Sequence, residues 1–196
     1  MTVLEQKRAQ RAAGIAARRA LGPAQRAAAN AALCARAARL PCFRAARTVL
    51  AYAAFDGEAD LAALLDTAAR QGKAVAYPVC GADGSLLAAL PAAEGGWEAG
   101  RYGIRTPVLA RARVLAPAQL DLVLVPCTAV DARCGRVGMG KGYYDRYLPR
   151  CTRAAVVGVA FEAQRVDAAA CEPHDIRPAL FVTEGGIYHA ADPTEL

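Results

Sequence analysis

The stretch "RTVLAYAAFDGEADLAALLDTAARQGKAVAYPV", residues 47–79, holds two apolar runs with a helical pattern between them. The first run, "RTVLAYAA" (residues 47–54), is short and apolar, which is typical of a buried strand. In the middle segment Leu61, Leu64 and Leu65 recur at helical spacing, and "AVAYPV" predicts a second strand. A strand, a helix and a strand in this order indicate a parallel sheet in an α/β fold.

The flanking segments extend this pattern on both sides. Residues 3–40 predict two helices divided at Gly22, because the proline that follows suits the first turn of a helix. Residues 81–117 are rich in glycine and predict hairpins or an active-site loop. "DLVLVPC" (residues 121–127) is the clearest buried strand, "YYDRYL" predicts a short helix that Pro149 stops, and "AAVVGVAF", "ALFVTE" and "GIYHA" predict the last three strands.

Length and composition limit the classes of protein. We expect 196 residues to form one domain, 1–196, with a helical part at 1–40 and an α/β core at 41–196. The seven cysteines include no CxxC pair, so we expect no zinc site, no disulfide framework and a reducing cytoplasm. We expect no membrane partner, because no stretch is apolar enough to cross a bilayer. The net charge of +6 favours anionic ligands, from nucleotides to nucleic acid.

The glycine-rich segment "GRVGMGKGYYD", residues 135–145, is the strongest functional signal from the residues alone. It fits the Walker spacing except that Gly142 stands where Ser or Thr is needed for magnesium, and Tyr143 breaks the dinucleotide fingerprint. Glycines leave successive amides free to bind an anion, Lys141 supplies a mobile charge, and Asp145 supplies an oxygen for magnesium. The alternative is a tight turn between a strand and a helix, and the glycines alone leave the two readings open.

Other candidate residues are individually weaker. Lys7 and Arg11 share one face of the first helix, where a solvated basic face is the simpler interpretation. Glu58 follows the first strand, at the edge where open α/β sheets bind ligands, but it also suits the first turn of the next helix. Asp175 suits either a metal carboxylate or a loop cap, and His174 suits the surface.

Taken together, these motifs resemble the 5-formyltetrahydrofolate cyclo-ligase family over nearly the whole chain. The matching segments are "KRAQR" near the N-terminus, "EADL" after the first strand, the long "LVLVPCTAVDARCGRVGMGKGYYDRYL", then "YGIRTP", "GVAFEAQ", "EPHD" and "FVTEGG". The resemblance implies a three-layer, Rossmann-like α/β sandwich with a mainly parallel sheet, related in shape to sugar-phosphate isomerases, with the N-terminal helices packed over it. It also implies cyclisation of 5-formyltetrahydrofolate to 5,10-methenyltetrahydrofolate with ATP and Mg²⁺.

The resemblance assigns a role to each matching position. It implies catalytic roles for Lys141 and Tyr143, and magnesium binding by Asp145 and Asp175. It also implies that Ala53, Glu58 and Tyr143 bind folate. It implies ATP binding by Lys7, Arg11, Arg136, Gly138, Met139, Gly140, Lys141, Gly142, Tyr143 and Tyr144. The expected state is a cytoplasmic monomer or weak dimer that binds no nucleic acid.

Some positions depart from the family's pattern. "PCTAVD" places Cys127 where a glycine is usual and Val130 where a phenylalanine is usual, both beside the expected pocket, and Met139 replaces an arginine found in some members. Leu61 and Ala179 replace a threonine and an aspartate. Two alternatives therefore stay open: a paralogue that acts on another substrate or only holds folate, and a basic protein that binds nucleic acid through its Arg-rich helices.

Overall fold

The protein is an α/β sandwich built on one large sheet. The structure, a computed structural model, describes residues 1–190, save the side chain of Tyr102. Its helices are α1 (Val3–Ala20), α2 (Pro23–Ala37), α3 (Pro41–Ala45), α4 (Ala62–Arg70) and α5 (Tyr143–Tyr147). The first six strands are β1 (Thr48–Leu50), β2 (Ala74–Cys80), β3 (Leu86–Leu90), β4 (Trp97–Ala99), β5 (Arg105–Pro107) and β6 (Arg113–Leu115). The others are β7 (Leu122–Pro126), β8 (Ala129–Val130), β9 (Arg136–Val137), β10 (Ala155–Val159), β11 (Leu180–Val182) and β12 (Ile187–His189).

The main sheet has eight strands in the order β12-β11-β10-β7-β1-β2-β3-β6. Its five inner strands, from β11 to β2, pair in parallel, whereas β12, β3 and β6 are antiparallel to their neighbours. Two smaller hairpins, β4-β5 and β8-β9, lie outside this sheet. The expected α/β class with a mainly parallel sheet is confirmed.

A separate apolar core covers each face of the sheet. Val49 of β1 packs with residues of α2 and α4 in one core, and the next residue, Leu50, packs in the other core with Tyr147 of α5. Successive side chains of a strand point to opposite faces, so a strand that is buried on both sides is apolar throughout. This arrangement gives the three layers that the resemblance implies.

Helix α1 begins at a complete capping box. The side chain of Thr2 accepts the amide of Glu5 at 3.2 Å, and the carboxylate of Glu5 accepts the amide of Thr2 at 2.7 Å. Helix α2 begins at Pro23, as the sequence predicts. These two helices pack against the sheet and its loops, and α1 approaches the β8-β9 region.

The element boundaries differ from the sequence prediction at two places. β1 ends at Leu50, so the predicted strand over residues 47–54 is too long, and the remaining residues form a loop. Helix α4 begins only at Ala62, so the alternative in which Glu58 belongs to its first turn is wrong. The short helix α3 and the β8-β9 hairpin were not predicted, because five residues or fewer carry little periodicity.

Two expectations drawn from composition can be compared with the structure. All seven cysteines are unpaired, which confirms that the chain has no disulfide framework. Within residues 1–190 we find no helix with the length and apolar character to span a bilayer. The expected single domain extends to residue 196, and residues 191–196 lie outside the part that the structure describes.

Candidate active site

A cavity of about 930 Å³ opens at the carboxyl ends of the central parallel strands. It is lined by Ala53 after β1, by Val79 of β2 and by Pro126 of β7. Open α/β sheets bind ligands at this edge because the loops that leave neighbouring strands meet there. The volume is that of a site for a sizeable small molecule.

All the candidate residues from the sequence line this one cavity, although they come from four separate segments of the chain. The set comprises Lys7, Arg11, Ala53, Glu58, Arg136, Gly138, Met139, Gly140, Lys141, Gly142, Tyr143, Tyr144, Asp145 and Asp175. Their shared location is an observation about geometry. What each residue binds stays a prediction.

The glycine-rich loop leaves its main-chain donors unused. None of the amides from Gly138 to Gly142 donates a hydrogen bond to an acceptor in residues 1–190. Gly140 and Gly142 have φ values of +86° and +65°, which strongly favour glycine. A run of free amides on a cavity wall is suited to binding an anion such as a phosphate.

Two cations of this loop have different surroundings. The side chain of Lys141 is exposed, and within residues 1–190 it has no hydrogen-bonding or ionic partner. Arg136 is buried, donates from Nε to the carbonyl of Ile176 at 2.8 Å, and forms an ion pair with Asp145. Lys141 is therefore free to follow a ligand, whereas Arg136 is fixed in place.

The N-terminal helix supplies two inward-facing cations. Lys7 Nζ lies 2.7 Å from a carboxylate oxygen of Glu172 and 2.5 Å from one of Asp175. Burial lowers the pKa of Lys7, but its hydrogen bonds to Asp175 and Glu172 outweigh this and raise the pKa. Arg11 donates from Nε to the carbonyl of Gly138 at 2.8 Å. The interpretation of Lys7 and Arg11 as a solvated basic face is therefore wrong.

The candidate metal carboxylates each keep one oxygen available. Oδ1 of Asp145 accepts the Arg136 side chain and the amide of Ile176, and Oδ2 of Asp175 accepts Lys7 and the amide of Glu172. Within residues 1–190 the other oxygen of each carboxylate accepts no hydrogen bond. Two carboxylate oxygens without a hydrogen bond from the described residues, on the wall that also holds the glycine-rich loop, fit the donors that Mg²⁺ prefers. Asp175 also acts as the loop cap that the sequence left open.

A second grouping of ligating side chains involves Asp175. Glu172, His174 and Asp175 place one ligating atom each within 4.8 Å of one another, and Asp145 is not in this group. His174 is exposed, as expected, but it also lines the cavity. Glu172 was not singled out from the sequence, where one acid in a loop carries no periodic signal.

Glu58 occupies a strained turn between β1 and α4. The preceding residues Asp56 and Gly57 have φ values of +51° and +76°, and the carboxylate of Glu58 accepts the amide of Phe55 at 3.1 Å. Burial raises the pKa of Glu58, and the Arg18 guanidinium partly opposes this effect. Glu58 is thus a nearly buried acid that reaches the cavity wall.

The two tyrosines of the loop are held differently. The hydroxyl of Tyr143 donates to the carbonyl of Gly81 at 3.0 Å, so the ring is fixed beside the turn between β2 and β3. Tyr144 has a buried hydroxyl without a partner in the described residues, and burial raises its pKa. The ring of Tyr143 is therefore better placed than its hydroxyl to contact a ligand.

Several cavity residues have no counterpart among the candidates from the sequence. They include Arg101, Arg105, Thr106 and Arg146. Arg105 stacks over the ring of Trp97, with its guanidinium carbon 4.4 Å from the ring centroid. The glycine-rich composition of residues 81–117 predicts hairpins or an active-site loop, and no spacing identifies which of its side chains line the cavity.

The two departures in "PCTAVD" lie in the core. Cys127 and Val130 are buried, and neither is among the residues that line the cavity. Cys127 nevertheless lies beside the pocket, as expected: it follows Pro126, which lines the cavity, and burial raises the pKa of its thiol with smaller effects from the charges of the cavity residues Arg136, Glu58 and Asp145.

Comparisons with known proteins agree on one family. Residues 3–184 match the model of the 5-formyltetrahydrofolate cyclo-ligase family. The chain is 33% identical over 135 residues to the 5-formyltetrahydrofolate cyclo-ligase of Mycolicibacterium smegmatis, covering 66% of this chain and 69% of the relative. It is 32% identical over 145 residues to that of Escherichia coli, covering 72% and 80%.

Solved structures are similar over a longer span. The 5,10-methenyltetrahydrofolate synthetase of Aquifex aeolicus superposes with a TM-score of 0.83 at 27% identity, covering 95% of this chain and 93% of that one. The synthetase from Mycoplasma pneumoniae has a TM-score of 0.76 at 22% identity, covering 91% and 98%, and supports the fold alone.

Proposed function

The chain belongs to the 5-formyltetrahydrofolate cyclo-ligase family, and from this premise we propose that it closes 5-formyltetrahydrofolate to 5,10-methenyltetrahydrofolate with MgATP, releasing ADP and phosphate. The observation that carries the proposal is the run of residues from Gly138 to Gly142, whose amides donate no hydrogen bond within residues 1–190 and which line the same cavity as Glu58. One cavity then holds an anion-binding loop and a separate acid suited to an uncharged, nitrogen-rich ring.

The chemistry needs an activated formyl oxygen, because a formamide oxygen is a poor leaving group. The γ-phosphoryl group of ATP moves to that oxygen, which breaks its bond to the bridging oxygen of ADP and gives an iminophosphate. The folate N10 then attacks the formyl carbon and loses its proton, and the C–O bond breaks to release phosphate. Positioning and electrostatic stabilisation dominate such a phosphoryl transfer.

The nucleotide occupies the glycine-rich side of the cavity in this proposal. The free amides of residues 138–142 bind phosphate oxygens, and Lys141 follows the transferred group because no protein partner in residues 1–190 restrains it. Arg11 holds the carbonyl of Gly138 and so fixes the conformation of the loop. Arg136 does the same from the other side through Asp145 and Ile176.

Magnesium is the cofactor that the acids of this side suit. Asp145 and Asp175 would hold it through their free oxygens, together with phosphate oxygens of the nucleotide. When bound, the ion neutralises the charge that develops on the phosphoryl oxygens. Lys7 helps to keep Asp175 ionised: burial raises the pKa of Asp175, but the hydrogen bond and charge of Lys7, together with the amide of Glu172 and the charge of His174, outweigh this and lower it.

The folate occupies the opposite side, near the ends of β1 and β2. The Glu58 carboxylate accepts N–H groups of the pterin ring, Ala53 lines the same wall, and the ring of Tyr143 packs against the reacting end. The unpaired thiols support a reducing cytoplasm as the compartment. The two substrates thereby meet with the formyl oxygen towards the loop.

The test is the absorbance of the methenyl product, followed with purified protein, 5-formyltetrahydrofolate and MgATP. We expect the product to form only with all three components, one ADP to appear for each methenyl group, and EDTA to stop the reaction. Tight binding of 5-formyltetrahydrofolate without any methenyl product would instead identify a paralogue that holds folate.

A further inference from the structure

One face of α1 contacts three segments of the candidate site and the carbonyl of Thr128. Lys7, Arg11, Gly14 and Arg18 follow one another at intervals of four, three and four residues, so they lie within an arc of about 60° on the helix. From Lys7 to Arg18 this face extends about 16 Å at the helical rise of 1.5 Å per residue. We refer to these four residues as the inner face of α1.

Each residue of the inner face has a different partner. Lys7 contacts the loop that contains Asp175, and Arg11 donates to the phosphate-binding loop at Gly138. At Gly14 the helix backbone meets the carbonyl of Thr128, so closely that a Cβ atom there would lie 1.7 Å from the oxygen. Of the three charged residues on this face, only Arg18 has no place in the function as proposed so far.

Arg18 is a charged side chain with no exposed surface. Its Nε donates to the carbonyl of Asp56 at 2.9 Å, and its Nη2 donates to the carboxylate of Asp56 at 3.3 Å. Its Nη1 is buried without any hydrogen-bond acceptor in the described residues, and the nearest carboxylate oxygen, Oε1 of Glu58, is 3.6 Å away. The unsatisfied donor therefore faces the acid that reaches the cavity.

A buried guanidinium is costly unless its donors and its charge are matched. Asp56 accepts hydrogen bonds from two of the three guanidinium nitrogens of Arg18, and the carboxylate of Glu58 places a negative charge near the third. The carboxylate of Glu58 is then held from two sides, because its Oε2 accepts the amide of Phe55. Removal of Arg18 leaves a nearly buried acid with only this amide to fix its orientation.

We infer that Arg18 is a positioning residue for Glu58, which holds the folate-binding carboxylate at a fixed distance from the nucleotide loop along the inner face of α1. This inference rests on the proposed role of Glu58 in binding folate. It gives α1 one function for both substrates, since its N-terminal half contacts the nucleotide side and its C-terminal half sets the folate side.

The neighbouring residue Arg19 provides a matched control. It lies on the same helix turn, carries the same charge and contacts the same acid, with its Nη2 2.5 Å from Oδ1 of Asp56. Its side chain is 62% exposed, and it has no ion pair with Glu58. A general effect of charge, or of loosening Asp56, affects Arg19→Gln as well, whereas an effect through Glu58 affects only Arg18→Gln.

The experiment is a double-mutant cycle with Arg18→Gln and Glu58→Gln. Steady-state kinetics gives KM for each substrate, and calorimetry gives Kd for 5-formyltetrahydrofolate in the absence of ATP. We expect Arg18→Gln to raise KM and Kd for the folate by about 10- to 100-fold, since a displaced positioning group costs up to about two powers of ten. KM for MgATP stays within about twofold, and Arg19→Gln leaves all constants unchanged. Glu58→Gln weakens folate binding similarly, and adding Arg18→Gln to it has little further effect.

Other outcomes overturn the inference. If the fold-changes of Arg18→Gln and Glu58→Gln in folate binding multiply in the double mutant, Arg18 is a structural residue only. The same follows if Arg18→Gln raises KM equally for both substrates. If Arg18→Gln does not fold, Arg18→Lys retains the charge but not the fork, and unchanged folate binding in that folded variant contradicts the inference. Unchanged folate binding in Glu58→Gln also contradicts it, whereas failure of the wild type to form the methenyl product contradicts the proposed function instead.

Discussion

Lys141 is the residue on which the phosphoryl transfer depends most directly. We expect Lys141→Ala to lower kcat by at least about 100-fold, as the loss of one preorganised charge contact does in other enzymes. The fold should not change, because the side chain is exposed and has no partner in residues 1–190. Rapid-quench measurement of ADP formation and thermal unfolding of the same sample check both statements.

The control for Lys141 is Arg8→Ala, which removes one positive charge from an exposed position outside the cavity. It should leave kcat unchanged. A normal kcat in Lys141→Ala removes that lysine from the transfer step. An equal loss in both variants points to the overall field of a protein of net charge +6 rather than to a local contact.

The second prediction at the residue scale concerns the metal. We expect Asp145→Asn to raise the Mg²⁺ concentration needed for half-maximal rate by roughly tenfold, because an amide is a poorer ligand for Mg²⁺ than a carboxylate. Titration of Mg²⁺ at constant ATP measures this change. Arg136 keeps its hydrogen bond to Ile176, so the loop retains one of its supports.

Asp121 offers a comparison away from the cavity. Its carboxylate accepts the amides of Arg47 and Thr48 near the start of β1, and these bonds lower its pKa against the opposing effect of burial. Asp121→Asn should therefore lower stability without changing the Mg²⁺ requirement. If Asp145→Asn leaves the Mg²⁺ requirement as it is in the wild type, Asp145 serves only to hold Arg136.

At the scale of elements, the contact of α1 with the β7–β8 connection sets the geometry of the site. Gly→Ala in a helix normally stabilises by up to about 1 kcal/mol. We expect the opposite for Gly14→Ala, a loss of about 3 kcal/mol or more, because the new Cβ would lie 1.7 Å from the carbonyl oxygen of Thr128 and backbone must move. Urea unfolding measures the change.

Gly72→Ala is the matched variant for this clash. Gly72 has a φ of +70°, and an added Cβ there meets nothing within 4 Å, so only backbone strain of about 1 kcal/mol opposes the change. We expect Gly14→Ala to be the more destabilising of the two. If both variants lose the same free energy of unfolding, α1 shifts easily to accept the new Cβ atom. Such a helix could not fix the distance between the two sides of the cavity.

The elements also show how far periodicity predicts the structure. The strand, helix and strand order of residues 47–79 gave the parallel sheet, because strands buried on both faces are continuously apolar. The sequence pattern indicates only half of the inner face of α1. Lys7 and Arg11 were noted as neighbours, but Gly14 and Arg18 continue the same spacing, and a glycine with a buried arginine is not a pattern that hydrophobic periodicity detects.

For the whole molecule, the cavity joins segments from residue 7 to residue 175. The residues alone indicate the glycine-rich loop and several separate candidates, but only the resemblance of motifs places them in one site, since no rule of spacing links Lys7 to Asp175. Their partners were not found, because ion pairs such as Lys7 with Glu172 depend on loop conformations that single-residue patterns do not encode. Residues that support other residues are therefore the part of the site that needed the structure.

The two sides of the cavity should differ in their response to pH. Burial raises the pKa of Glu58, whose neighbours are Arg18 on α1, Asp56 on its own turn and the hydroxyl of Tyr52. Burial also raises the pKa of Asp175, but the hydrogen bonds from Lys7 and the amide of Glu172, with the charges of Lys7 and His174, together outweigh this and lower the pKa. As pH falls, Glu58 therefore gains its proton first, and Asp175 stays ionised to a pH below its ordinary value.

We expect KM for 5-formyltetrahydrofolate to rise as pH falls through the raised pKa of Glu58, because protonation removes an acceptor from the Glu58 carboxylate. With folate saturating, KM for MgATP should rise only at lower pH, after correction for the ionisation of ATP itself. Glu58→Gln should show a high KM for folate that no longer changes over the same range. If the KM for folate in Glu58→Gln still follows the wild-type pH profile, another group causes the pH dependence. Glu58 then does not bind folate.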